Sequence, residues 1–278
     1  MIEWDGVSKR YGQSGGSGPL AVDGVSLSVA RGELLVMVGE SGSGKTTLLK
    51  MVNRLVEPDA GVVRVDGVEV SKGSAEALRR GMGYMIQSVG LLPHWTVGEN
   101  VAAVPRLLGW DPKRVDRRVG EVLEMVGLDA ALKGRLPAEL SGGQRQRVGV
   151  ARALAGEPGI LLMDEPFGAV DPINRGALRQ RVRRLHEELG LTSVLVTHDM
   201  AEALLLADRL AVIQGGRVLR VGTPAELVED PGDPYAAELV GAPEREARRL
   251  AGLWDKGRSG RSANRPAEPR AQGGGDDE

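Results

Sequence analysis

An α/β fold, a mostly parallel sheet flanked by helices with an antiparallel β piece and an inserted helical lobe, is predicted by three observations. Short apolar runs alternate with helical patterns along the chain, the order that βαβ units require. Asp66-Gly67 sits inside Val62 to Val70, a two-residue hairpin signal that asks for antiparallel strands. Two strong helix starts, the capping box Thr96-Val97-Gly98-Glu99 and the N-cap pair Asp111-Pro112, follow each other closely and mark the lobe, about Leu92 to Glu157.

The elements follow in order. Met1 to Asp5 has a strand-like start, and Gln13 to Gly18 (QSGGSG) has the composition of a flexible loop with no assigned function. Glu33 to Val38 (ELLVMV) is an apolar strand that runs directly into Gly39-Glu40-Ser41-Gly42-Ser43-Gly44-Lys45-Thr46, and Thr46 to Leu55 has helical character. This is the context of a phosphate loop: glycines let consecutive amides turn inward around phosphates, and a helix aims its positive end at the anion. Lys45 is then expected to reach the β- and γ-phosphates and Thr46 a magnesium ion, with residues 39–47, Thr47 included, forming the cradle.

Ile160 to Glu165 (ILLMDE) is a buried strand ending in two acids. After a phosphate loop, Asp164 is expected to hold magnesium, directly or through water. Glu165, one residue beyond the strand, is expected to polarise the attacking water as general base. Leu140 to Arg147 (LSGGQRQR) places Ser141, Gly142 and Gly143 before a helical run from Gln144 to Ala155, a second helix N-terminus able to take γ-phosphate. Ser193 to Val196 is a further apolar strand, and Thr223-Pro224-Ala225-Glu226 repeats the capping pattern and starts a late helix.

Composition narrows the function class. The chain has 278 residues, 41% hydrophobic, enough for one large core with an inserted lobe, and a net charge of -2 gives no general nucleic-acid affinity. There is no cysteine, so disulfides, zinc clusters and iron–sulfur ligation are excluded. No secretory leader is read at the N-terminus and no run approaches 18 apolar residues, so a cytoplasmic chain that does not span a membrane is expected.

The phosphate loop, the LSGGQ signature, ILLMDE, the loop FGAVD and VTHD stand in the order and approximate spacing of the ABC ATPases, and the chain resembles an ABC nucleotide-binding subunit over about Ile2 to Val240. The resemblance implies a P-loop NTPase ABC ATPase core over 1–242, ATP and Mg2+ as cofactors, and two copies paired head to tail, with ATP between the phosphate loop of one and Ser141, Gly142, Gly143 and Gln144 of the other. It implies an adenine-stacking role for Tyr11, contact of Gln87 with magnesium or the lytic water, contact of His198 with the γ-phosphate, and an interface position for Asp171. His94 and His186 are read as surface or packing residues.

Met85 to Val101 (MIQSVGLLPHWTVGENV), Val104 to Trp110 and Phe167 to Arg175 (FGAVDPINR) are similar to the osmoprotectant importers of the glycine betaine, carnitine and choline type, with Val170 where that group usually has leucine. Leu91, Leu92 and Pro93 are expected to form an exposed apolar groove that suits a docked permease helix. The implied assembly is a homodimer on the cytoplasmic face of the membrane, under integral membrane permease subunits served by an extracytoplasmic substrate-binding protein, with no nucleic-acid partner. Import of amino acids or other small solutes is the alternative. A soluble ABC ATPase of DNA or the ribosome is disfavoured by the lack of a long coiled-coil insertion, and an exporter ATPase by the importer-like segment at Gln87. Relatives of this group often continue into a paired regulatory domain; here residues 243–278 are polar, disorder is expected after about Trp254, and regulation through such a domain is expected to be absent.

Overall fold

The computed structural model describes the backbone of residues 1–12, 18–168 and 170–262. Most of the Gln13 to Gly18 stretch therefore lies outside the described residues. Residues 1–240 form one compact unit and 241–278 belong to a second.

The central sheet has six strands in the order β10-β9-β3-β8-β7-β6: β3 Leu34–Val38, β6 Met82–Met85, β7 Ile160–Asp164, β8 Thr192–Thr197, β9 Arg209–Gln214 and β10 Arg217–Gly222. All neighbours are parallel except the edge pair β9 and β10. A second, antiparallel sheet has the order β2-β1-β4-β5, from β1 Ile2–Arg10, β2 Leu20–Val29, β4 Ala60–Val65 and β5 Val68–Glu69. Asp66 and Gly67 both take positive φ between β4 and β5, the conformation of a tight hairpin turn.

Strand alternation divides the interior in two. Leu34, Val36 and Val38 of β3 enter one apolar cluster, whereas Leu35 and Met37 enter another. β7 repeats the split, with Leu161 and Met163 in the first and Ile160 and Leu162 in the second. The second cluster holds Leu48, Leu49 and Met51 of α1 (Lys45–Val52) and the antiparallel sheet. The first holds the helical lobe, α3 Val97–Leu107, α4 Pro112–Met125 and α5 Gly142–Leu154. α2 is the short helix Ala75–Arg80.

The remaining helices are α6 Pro172–Glu188, α7 Met200–Leu206, α8 Pro224–Glu229 and α9 Pro234–Ser262. Caps fall where the sequence puts them: Thr96 and Thr223 close full capping boxes, and Asp111 accepts from the Lys113 amide ahead of Pro112. Two expectations are corrected. α1 stops at Val52 rather than Leu55, because Arg54 turns the chain through positive φ. α5 starts at Gly142 rather than Gln144, since Ser141 itself is the N-cap. Beyond Trp254, where disorder is expected, the backbone of α9 runs on to Ser262. Residues 263–278 lie outside the described residues.

Candidate nucleotide site

The parallel strands deliver their C-terminal ends to one edge of the sheet, where ligands bind in open α/β folds. β3 runs into the loop 39–44, β7 ends at Asp164, β8 ends just before His198, and β6 ends two residues before Gln87. The adjacency of β3, β8, β7 and β6 brings these four tips together.

The loop is held open by backbone requirements. Gly44 has φ 103°, and a Cβ there would lie 2.2 Å from the Ala21 carbonyl oxygen, so no side chain fits. Gly44 is also the N-cap of α1 and makes no side-chain cap bond, which leaves the first-turn amides facing the loop for an anion. Lys45 is only 5% exposed. Its ammonium donates to the carbonyls of Gly39 at 2.7 Å and Glu40 at 2.6 Å and to Ser43 Oγ at 3.1 Å. Burial lowers the Lys45 pKa, while the carboxylates of Glu165, Asp164 and Glu40 oppose that shift.

Thr46 Oγ1 donates to Asp164 Oδ1 at 2.9 Å. Asp164 shares the face of Leu162 and so looks toward α1, which is why the two meet. Burial pushes the Asp164 carboxyl above its usual range, and the charge of Glu165 adds to this; the Thr46 hydroxyl and the charges of Lys50 and Lys45 pull it back. The pair offers hard oxygen donors beside a phosphate cradle, which fits magnesium, an ion that takes few protein ligands and completes its shell with water and phosphate.

Glu165 is the pivot of the site. It has φ 47°, a left-handed conformation costly for a residue with a Cβ. Its amide still donates to Val196 of β8 at 2.9 Å, so the strand is anchored while the side chain leaves the β alternation. Oε2 accepts from the Gln87 amide nitrogen at 3.2 Å, and Oε1 lies 3.2 Å from His198 Nδ1. A carboxylate flanked by an amide and an imidazole can receive a proton from water while its neighbours orient that water. The strand carrying His198 is fixed in turn by Thr197 Oγ1 donating to the buried Glu202 at 2.9 Å.

The structure thus joins Lys45, Thr46, Asp164, Glu165, Gln87 and His198. Tyr11 is 51% exposed, its hydroxyl 3.4 Å from Thr47 Oγ1, a ring open to stacking at the first turn of α1. The signature residues belong to another surface. Ser141 Oγ accepts from the Gln144 amide at 3.2 Å, and Gln144 Oε1 accepts from the Ser141 amide at 2.9 Å. They line a depression of 330 Å³ with Gly143, Asp129 and Asn174. Among the described residues, no hydrogen bond links that turn to the phosphate loop. Asp171 caps α6 by accepting from the Asn174 amide at 3.1 Å.

Three further residues escape sequence reasoning. Gln146 is buried and donates to the Pro166 carbonyl, tying the signature helix to the turn after Glu165. Tyr84 packs behind Asp164 with a buried hydroxyl, and burial with the Asp164 charge raises its pKa to about 12. Tyr235, on the first turn of α9, accepts from the Glu40 amide at 3.1 Å across a separation of 195 residues. His186 is a packing residue, buried with Nδ1 2.9 Å from Ser193 Oγ, and His94 is exposed. Of the residues expected in the groove, Leu92 and Pro93 are exposed, whereas Leu91 is half-buried against the core; Trp95 is also exposed.

Fold and site together define a phosphate-loop nucleoside triphosphatase. The sequence model of the ABC transporter family matches residues 22–168, and the chain belongs to that family. It is 48% identical over 251 residues to the glycine betaine uptake system ATP-binding protein YehX of Escherichia coli, covering 90% of this chain and 80% of that protein. It is 45% identical over 241 residues to the choline transport ATP-binding protein OpuBA of Bacillus subtilis, covering 87% of this chain and 62% of that one, so it spans less than two thirds of this longer relative. Among solved structures, the dimeric post-hydrolysis state of the ATP-binding cassette MJ0796 bound to ADP and Pi superposes with a TM-score of 0.73 at 33% identity, over 81% of this chain and 99% of that one. The chain is an ABC-type ATPase.

One prediction arises from the cradle itself. Lys45→Ala is expected to reduce ATP affinity by at least about tenfold, since loss of a charge-assisted contact costs on the order of 1.5–3 kcal/mol. Titration with a fluorescent ATP analogue checks it, and parent-like binding would remove Lys45 from phosphate recognition.

Proposed function

We propose that this chain is the ATP-hydrolysing subunit of an importer for a quaternary amine osmoprotectant such as glycine betaine, choline or carnitine. The observation that carries the ATPase half is the Glu165 carboxylate held between Gln87 and His198 beside the Thr46–Asp164 pair. The solute half is supported by the relatives just described, a glycine betaine and a choline transport subunit.

Residues 39–47 cradle the phosphates, with Lys45 on the β- and γ-phosphates, and Tyr11 stacks on adenine. Thr46, Asp164 and Gln87 would hold Mg2+, which would supply neutralisation of phosphate charge. Glu165 accepts the proton of the attacking water, and His198 orients that water against the γ-phosphate. A second copy supplies Ser141, Gly142, Gly143 and Gln144 to the γ-phosphate, with Asp171 at the interface; the dimeric cassette structure supports this arrangement.

The subunit acts peripherally at the cytoplasmic face of the membrane; no helix among the described residues is long and apolar enough to cross it. Exposed Leu92 and Trp95 offer the apolar surface for permease subunits, which receive solute from an extracytoplasmic binding protein. Uptake of labelled glycine betaine by cells lacking this subunit tests the reading. Restoration by the parent chain and not by Glu165→Gln is expected; a normal betaine uptake in its absence would assign the ATPase to another solute.

A further inference from the structure

We propose that Tyr235 is a positioning residue for the phosphate loop, fixing the Gly39–Glu40 peptide and, through that peptide, the ammonium of Lys45. The two halves of one peptide bond carry the link. Its N–H, on Glu40, donates to the Tyr235 hydroxyl at 3.1 Å, and its C=O, on Gly39, accepts from Lys45 Nζ at 2.7 Å. Because N–H and C=O point in opposite directions across a planar amide, a hydroxyl that sets one sets the other. Hydrogen bonds in such a chain polarise one another, so the ammonium meets a stronger acceptor than a free carbonyl. The neighbouring Glu40 carbonyl completes the seat of Lys45 at 2.6 Å.

Tyr235 is itself rigidly presented. Asp233 caps the helix by accepting from the amides of Tyr235 at 2.8 Å and Ala236 at 3.2 Å, and Pro234 fixes the intervening backbone. The ring packs on the larger apolar cluster beside Leu239 and buried Ala236 and Val240. The chain therefore returns, after crossing the whole cassette, to hold the first peptide of its own phosphate loop. A loop with three glycines, Gly39, Gly42 and Gly44, between its flanking strand and helix needs such an external fix, since glycine gives the backbone no preference of its own. This inference rests on the ATPase assignment and is independent of the transported solute.

Tyr235→Phe keeps the ring and removes the hydroxyl. Affinities for ADP and ATP, measured calorimetrically with magnesium, are expected to fall together by about three- to tenfold, the span of one net hydrogen bond. The melting temperature of the nucleotide-free protein is expected to stay within about 2 °C, as a lone hydrogen bond lost from a chain this long allows. Exchange of the Glu40 amide is expected to accelerate. Leu239→Ala, on the same helix but without a bond to the loop, serves as the packing control: it is expected to lower the melting temperature and leave nucleotide affinity unchanged. Parent-like affinity in Tyr235→Phe, an unaltered Glu40 exchange rate, or an equal loss of affinity in Leu239→Ala would each overturn the proposal.

Discussion

Glu165→Gln is expected to leave ATP bound and to slow its hydrolysis by roughly 10²- to 10⁴-fold, the range for loss of a general base. The substitution is nearly isosteric, so the contacts that place the residue survive in part: the backbone bond to Val196 is untouched, and the glutamine oxygen still accepts from Gln87. What disappears is the basic lone pair beside His198. Binding is preserved because the phosphates are met by Lys45 and the α1 amides, none of which Glu165 positions by a hydrogen bond. Removal of one negative charge near Lys45 also leaves its ammonium, which Glu165 favours electrostatically, with Asp164 and Glu40 as remaining support. Single-turnover hydrolysis beside a nucleotide titration separates the two effects. Full turnover would strip Glu165 of its role and leave His198 as the residue to test next.

The fold was legible because its signals are local. The alternation of β3 and β7, the Asp66-Gly67 turn and the caps at Thr96, Asp111 and Thr223 are each decided by residues a few positions apart. The phosphate loop and the two acids at the end of β7 were legible for the same reason. Gln87 and His198 were not: an isolated glutamine and histidine carry no chemistry until β6 and β8 lie beside β7 and bring both onto Glu165, and only the family resemblance pointed to them. Tyr235 and Gln146 lay beyond even that, because their partners are backbone groups, and a backbone N–H or C=O has no sequence signature.

Ser141→Arg tests the other half-site, and its expected effect is loss of the ATP-dependent dimer with nucleotide binding by the single chain intact. Ser141 and the phosphate loop sit on separate surfaces of one chain, so the serine has no direct part in the site that its own chain completes. Its present work is to cap α5, and losing a cap costs about 1 kcal/mol, a fraction of the 5–15 kcal/mol typical of folded domains. The lobe therefore survives the change, held by Val148, Val150, Ala151 and Leu154 in the core. An arginine at that position, however, fills the mouth of the depression beside Gly143 and Asn174, and crowds the helix N-terminus that is to receive a partner's γ-phosphate. Sizing in ATP and magnesium is best done in the Glu165→Gln background, where the nucleotide persists. Ser141→Ala is the matched control: it loses the same cap but leaves the mouth open, so it weakens the dimer without abolishing it. If Ser141→Arg still dimerises on ATP, the two half-sites do not meet head to tail, and the γ-phosphate must be closed by a different surface of the partner.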